Sequence, residues 1–275
     1  MKQLLSAVVL TTALVPIASA DGIPPSYKAP VVYKRFSWTG FYAGLNAGAA
    51  WGESDVDLTA SPTFFGPGGG GPDGPATLDR DGSPNLNARA LTAGGQAGYN
   101  WQAGILVLGV EGDLNSVLFT SSGDSGIRPT PPLSPGIGTY HFSESVNTDW
   151  LATLRGRIGF SMDHTLIYAT GGAAWANIDF TQMSGPFIGC GNCSVTTSTS
   201  STKSGWAVGG GIEYAFTNNW TLKGEYLHVD LGSVSFADNL AAGGFPAASF
   251  THSATLTEDL ARVGINYKIP GLTIF

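Results

Sequence analysis

The chain has 275 residues, and its 13 basic against 20 acidic side chains leave a formal net charge of −7, a balance that excludes nucleic acid, which needs a basic face. Charged residues make up only 12% of the sequence, below the usual quarter or so of soluble globular chains, whereas glycine (39 residues) and aromatics (11%) are abundant. Beyond the N-terminus no segment offers the roughly 18 apolar residues of a membrane-spanning helix, so a membrane role would fall to the other spanning solution, the closed β-barrel.

The N-terminus reads as an export signal. Lys2 is a short positive region, Leu4 to Ala18 an apolar core, and Ala18-Ser19-Ala20 a small-x-small cleavage site. Cleavage before Asp21 would divide the chain into a signal at 1–20, a periplasmic Pro-containing arm at 21–37 and a barrel at 38–275. Without Lys2 the charges are 12 against 20, a net of about −8.

From Trp38 onward, segments of alternating polarity recur, and eight strands are expected. The first, 39–51, has Phe41, Ala43, Leu45, Ala47, Ala49 and Trp51 on one face and Gly40, Tyr42, Gly44, Asn46, Gly48 and Ala50 on the other. A Gly/Pro-rich loop, GPGGGGPDGP, leads toward the second strand, 88–101. That strand turns through Gln102-Ala103-Gly104 into the third, 105–116. After a polar, Pro-rich loop, the fourth (148–160) turns through Ser161 to His164 into the fifth (165–178). A Ser/Thr-rich loop carrying Cys190 and Cys193 follows. The sixth (204–216) turns through Thr217-Asn218-Asn219 into the seventh (220–231), and a last loop leads to the eighth (257–269). Short turns at one end and long loops at the other, around an even number of strands, is the outer-membrane barrel pattern. The expected fold is therefore all-β: an eight-stranded antiparallel transmembrane barrel with short periplasmic turns and four long extracellular loops.

A soluble eight-stranded barrel would hide its apolar face inside; a membrane barrel turns it outward. Charges within the strands choose between them. Leu106, Leu108, Val110 and Leu114 oppose Glu111 and Asp113; Leu154, Ile158 and Phe160 oppose Arg155 and Arg157; Ile212 and Tyr214 oppose Glu213; Leu222 and Tyr226 oppose Lys223 and Glu225; Val263, Ile265 and Tyr267 oppose Arg262. The fifth strand is ambiguous, because Tyr168 shares a face with Leu166. Four acids thus meet four bases at overlapping heights near the short-turn end, given about 3.3 Å per strand residue. Confined in a narrow lumen, these eight should pair, since an unpaired buried charge is strongly unfavourable. The seven tryptophans fall near strand ends, Trp38, Trp101 and Trp220 toward the short turns and Trp51, Trp150, Trp175 and Trp206 toward the long loops. Two such rings match the interfacial girdles of a membrane barrel.

Cys190 and Cys193 are read as a small structural disulfide, with a redox or metal role as the alternative, because an exported chain meets oxidising surroundings and no second Cys pair or His cluster stands nearby. Of the four histidines, His228, in an HVD stretch with Asp230, is the best candidate for lipid chemistry, against the plainer reading of an interfacial side chain. Asp79-Arg80-Asp81-Gly82 lacks the later Glu of a calcium loop. No catalytic, metal or cofactor site is expected.

The stretches WTGFYAGLNAGAAWG, AGYNWQAG, LVLGVEGDLN, DWLATLRGRIGF, GGGIEYAFTNNWTLKGEYLHVDLG and ARVGINYKI resemble, in order and spacing, the small outer-membrane immunogenic proteins of alphaproteobacteria, with the eight-stranded barrel of the OmpA transmembrane domain. The resemblance implies a charge network closing the lumen, carried over to Arg157, Glu213 and Lys223. The acid of the second strand corresponds to Gln96, a departure for which Glu111 could substitute. It also implies that Phe275 resembles the terminal aromatic read by barrel-assembly machinery, weakened here by Pro270. Relatives of this kind have been linked to haem binding, to which no residue here is assigned. The resulting expectation is an envelope-integrity and surface-interaction barrel in the outer membrane, touching lipids and lipopolysaccharide, with host-surface or small-ligand contacts through its loops. The alternatives are a small porin-like pore and, third, a lipid-modifying enzyme.

Overall fold

The computed structural model describes residues 36–62, 74–83, 85–129, 139–187, 193–240 and 245–272. The expected signal, most of the expected arm, Cys190 and Phe275 lie outside them. Eight long strands form the wall: β1 (Gly40–Ala60), β2 (Asn85–Ala103), β3 (Leu106–Asp124), β6 (Phe142–Met162), β7 (Thr165–Phe187), β8 (Cys193–Ala215), β9 (Trp220–Leu240) and β10 (Phe245–Lys268). A helix, α1 (Gly74–Asp81), precedes β2, and a two-residue pair, β4 (Arg128–Pro129) with β5 (Thr139–Tyr140), lies between β3 and β6. The wall closes in the order β1-β10-β9-β8-β7-β6-β3-β2, every neighbour antiparallel, with β1 joined to β10 from Tyr42↔Lys268 to Ala60↔Phe250. Closure leaves no open edge within the hydrocarbon, the condition a sheet must meet there. The short turns use left-handed residues: Gly104 at φ 64° and Asp163 at φ 56°, the first free of Cβ strain and the second a residue type enriched in that region.

The strands stand where the alternation placed them, but they are longer, 19 to 24 residues each. A barrel strand needs only about 9–11 residues to cross the hydrocarbon. The first strand, expected to stop at 51, runs on to Ala60, and the sixth, expected from 204, begins at Cys193. The reason lies in what surrounds each half. In the membrane half of β1 the inward residues are Tyr42 and Asn46, while Leu45 stands 69% exposed. With unbroken parity, Leu58 and Ala60 then turn inward while Asp55, Asp57 and Thr59 face out. The two-residue period continues, but the outer medium has changed from lipid to water, so the binary pattern inverts. Leu91 at 76% and Leu114 at 59% exposure belong to the lipid side of that boundary.

The inverted half encloses an ordinary apolar core, including Val146, Leu151, Ile178, Phe180, Leu227, Val229, Leu256 and Leu260. It is also no longer a continuous ring. Ladder pairing between β8 and β9 ends at Trp206↔Asp230, and that between β2 and β3 ends at Thr92↔Val117. Beyond those pairs the described strands form two four-stranded sheets, β2-β1-β10-β9 and β3-β6-β7-β8, which meet across the axis where Phe142 and Phe250 pack edge to face at 6.0 Å. At the top, Leu78 of α1 is fully buried, Asp79 accepts a hydrogen bond from the Ala60 amide at 2.6 Å, and Asp81 accepts one from the Tyr140 hydroxyl at 2.7 Å. The Asp79–Gly82 segment is therefore the end of a helix tied to β1 and to the short strand β5.

Candidate functional site

All eight expected lumen charges point inward, and the most exposed of them, Asp113, retains 6%. Each sits on the inner parity of its strand, because the opposite parity carries the lipid-facing Leu, Ile and Val. Arg155 is the hub: its Nη2 donates to Glu111 and to Asp113 at 2.8 Å each, and its Nη1 reaches Glu225 at 3.3 Å. Arg262 bridges Asp113 at 3.0 Å and Glu225 at 2.6 Å, and the Lys223 ammonium lies 2.8 Å from Glu111. One layer nearer the short turns, Arg157 donates to Glu213 at 3.2 Å and lies 3.7 Å from Glu111. Every carboxylate thus has a cation at hydrogen-bond distance, the arrangement that offsets desolvation in a dry interior.

Neutral side chains complete the network beyond the eight charges expected from the sequence. Tyr42 and Tyr168 donate at 2.8 Å to Glu111 and Glu225, and their rings flank the Arg157 guanidinium at 4.9 and 5.1 Å, a cation–π sandwich. This also resolves the ambiguous fifth strand: Leu166 and Tyr168 both face inward. Thr153 and Thr221 donate to Asp113 and Glu213. Gln96 accepts from Asn46 and donates to Asn266, each at 2.6 Å, and Asn266 donates onward to Glu213 at 2.8 Å. The second strand therefore contributes a neutral amide relay, and Lys223 takes its carboxylate from Glu111 on β3. The inner glycines are spaces for these groups: a Cβ on Gly98 would collide with the Tyr42 hydroxyl, and one on Gly211 with Tyr168.

The network is covered at both ends. Above it lie Leu151, Leu227 and Leu260, each fully buried. Below it, Phe36 and Trp38 pack edge to face at 4.9 Å within a cluster that includes Val107, Leu166 and Ala215, and the Trp38 amide donates to Gln102. Trp38 is accordingly a correction: at 3% exposure it lies inside the short-turn mouth of the barrel and leaves the girdle to others. Its position two residues before the strand pairing begins at Gly40 lets the chain turn inward. Trp101 and Trp220 stay on the outer wall at the short-turn end; Trp51 and Trp206 stand out at the loop end, with Trp150 and Trp175 half-buried beside them.

The candidate for lipid chemistry is placed on the outside of the wall. His228 Nδ1 lies 2.8 Å from Asp259, its ring 5.5 Å from Trp206, and the Tyr226 hydroxyl donates to the same carboxylate at 2.7 Å. Asp230, the expected partner, instead accepts from the Gly232 amide. His164 pairs with Asp163 and His141 with Asp124, so neither joins His228. Among the described residues no group of three or more His, Cys, Asp or Glu is placed to hold a metal. The pairing of Cys193 with Cys190 falls outside the described residues.

The model of the outer membrane protein beta-barrel domain family matches residues 9–257. The 31 kDa outer-membrane immunogenic protein of Brucella melitensis is 31% identical over 272 residues, covering 98% of this chain and all of that one. A 25 kDa outer-membrane immunogenic protein of Brucella abortus is 26% identical over 275 residues, with 98% and 100% covered. Among solved structures, the outer membrane protein OprG of Pseudomonas aeruginosa is similar at a TM-score of 0.45 and 13% identity, over 84% of this chain and 96% of that one. With a family model spanning most of its length and a relative matched end to end, the chain belongs to the outer-membrane β-barrel family, as an outer-membrane protein akin to the Brucella immunogenic proteins.

Proposed function

We propose that this barrel works as a closed anchor, supporting the envelope and holding a β-structured surface outside the cell, and that it neither conducts solutes nor performs chemistry. The observation that carries this is the filling of the lumen: eight mutually paired charges, none more than 6% exposed, capped by leucines above and by Phe36 and Trp38 below. An eight-stranded interior is just wide enough for side chains to fill. In the membrane its outer wall meets lipid; lipopolysaccharide is the partner proposed at the outer girdle, host surfaces or small ligands at the loops, and barrel-assembly machinery during insertion. The alternative readings are separable from this one. In planar bilayers the purified protein should show negligible conductance, and steady openings would favour a small pore instead. Turnover of lipid that is lost in His228→Ala would establish an enzyme.

A further inference from the structure

Trp150, Trp175 and Trp206 mark the outer border of the membrane on three successive strands, β6, β7 and β8. Above that border the strands run on outside the hydrocarbon. From Trp206 up to Ser198 the wall gains about 26 Å of strand length, at about 3.3 Å per residue. Val146, Ile178 and Phe180 are buried in the apolar interior of this half, so their neighbours along each strand face outward, and Ser198, Ser200 and Thr202 keep the parity of Trp206. The ladders set these outward residues side by side. Ser145, Thr181 and Ser198 form one rung, and Asn147, Asp179 and Ser200 form the rung below it. Lower still, Asn177 stands beside Thr202.

Hydroxyls and amides fill these rungs, and Asp179 is their one charge, whereas a solvated surface carries charge at about a quarter to a third of its positions. The Thr181 and Ser198 hydroxyls lie 3.1 Å apart, a cross-strand contact that holds both side chains in place. The side chains form a lattice spaced about 4.8 Å across the strands and about 6.6 Å along them. A hydroxyl both donates and accepts, and an amide does so through separate atoms. The lattice therefore meets a hydroxyl-bearing partner whichever way each bond points. A protein partner is held by aromatic or arginine anchors at the centre of its interface, and a phosphate by arginine or lysine; the rungs hold none of these. The tryptophans lie at the lower border instead, where an indole offers an apolar face and an N–H.

We propose that the outer face of β6, β7 and β8 above the girdle binds the oligosaccharide of lipopolysaccharide in the protein's own membrane. The inner sugars lie on Trp175 and Trp206, and the outer ones on the hydroxyl rungs. Val208 and Ile212 stand exposed on the wall below, where the acyl chains of the same molecule run. Those chains hold the sugars at the height of the rungs, so the contact forms at high effective concentration. Each hydrogen bond adds little by itself, and the repeat of the lattice supplies the affinity. Contact with uncharged sugars is also insensitive to salt, unlike contact with phosphate, which ions screen. This assignment rests on the reading that lipopolysaccharide meets the outer girdle, and it adds which part of that molecule is recognised.

The test uses the full barrel, refolded in micelles free of lipopolysaccharide. The probes are dye-labelled lipopolysaccharide with a complete core and dye-labelled lipid A without core sugars, and energy transfer from tryptophan reads their binding. The complete glycolipid should bind at least tenfold more tightly than lipid A, and that ratio should persist in high salt and in EDTA. The triple variant Thr181→Val, Ser198→Ala, Thr202→Val removes hydroxyls from the rungs. It should lose the ratio while binding lipid A as the parent does, with the heat-modified band on gels showing that it is folded. Ser235→Ala with Ser253→Ala, a hydroxyl pair 3.2 Å apart on β9 and β10, should leave the ratio unchanged. Equal binding of both probes by the parent would overturn the proposal and leave lipopolysaccharide at the girdle, whereas failure of both to bind would remove the girdle reading as well. An unchanged ratio in the triple variant, or the same loss in the β9–β10 variant, would also overturn it. So would loss of the ratio in salt or EDTA, which would assign the contact to phosphates. A delipidated core oligosaccharide that binds as tightly as the intact glycolipid would overturn it too, since the occupant would then be a free glycan.

Discussion

Arg155 is the place to test whether the lumen network holds the barrel together. Its side chain is fully buried and touches three carboxylates, Glu111, Asp113 and Glu225. Arg155→Met keeps most of the side-chain volume but leaves four acids facing three bases where no water can reach. Removing one partner of a buried ion pair costs about 3–5 kcal/mol, chiefly through the uncompensated charge. Arg262 and Lys223 still serve Asp113, Glu225 and Glu111, so the lower part of that range is expected. Adding Glu111→Gln restores the balance to three against three while the amide can still accept from Lys223. The double variant should therefore recover at least about 1–2 kcal/mol, a coupling of the size seen between contacting residues. Urea unfolding in micelles, followed by tryptophan fluorescence and by the shift of the heat-modified band on gels, measures both. The reasoning fails if Arg155→Met lies within about 1 kcal/mol of the parent, or if the double variant is no more stable than the single one.

Two further predictions concern the parts of the wall on either side of the membrane. Glu144, in the extracellular half, is 2% exposed, with neither carboxyl oxygen hydrogen-bonded among the described residues, and burial pushes its pKa up to about 8, against about 4.3 in an unfolded chain. Between those values the folded protein keeps a proton that the unfolded chain has lost, so stability falls as pH rises through that window. Glu144→Gln should match the parent near pH 4 and exceed it by a few kcal/mol near pH 8; parallel stability–pH curves would refute the assignment. In single-tryptophan variants, lipids brominated near the headgroup should quench Trp51, Trp101, Trp206 and Trp220 but spare Trp38, since Trp38 packs against Phe36 inside the mouth. Strong quenching of Trp38 would return it to the girdle.

The sequence by itself determined the membrane half, because there two media of opposite polarity lie a few ångströms apart across one wall. Leu108 must face lipid, and Glu111, of the other parity, must then face the lumen, so alternation alone gave strand number, inward charges and outward grease. It also assigned all seven tryptophans to the outer wall, where six of them stand while Trp38 turns inward. What it could not decide is the pairing of Lys223 with Glu111, since that depends on which inner residues of β3 and β9 reach one height across the lumen, a matter of register between strands 112 residues apart. Nor could it place the strand ends. Beyond Trp51 the same period runs with its polarity reversed, and the hydroxyl-rich Cys193–Gly205 segment has too little contrast between faces to be told from a loop. Only the ladder to β7 shows that it is a strand. Local alternation reports the solvent on each side of a strand, whereas its neighbours are set by closure of the whole sheet.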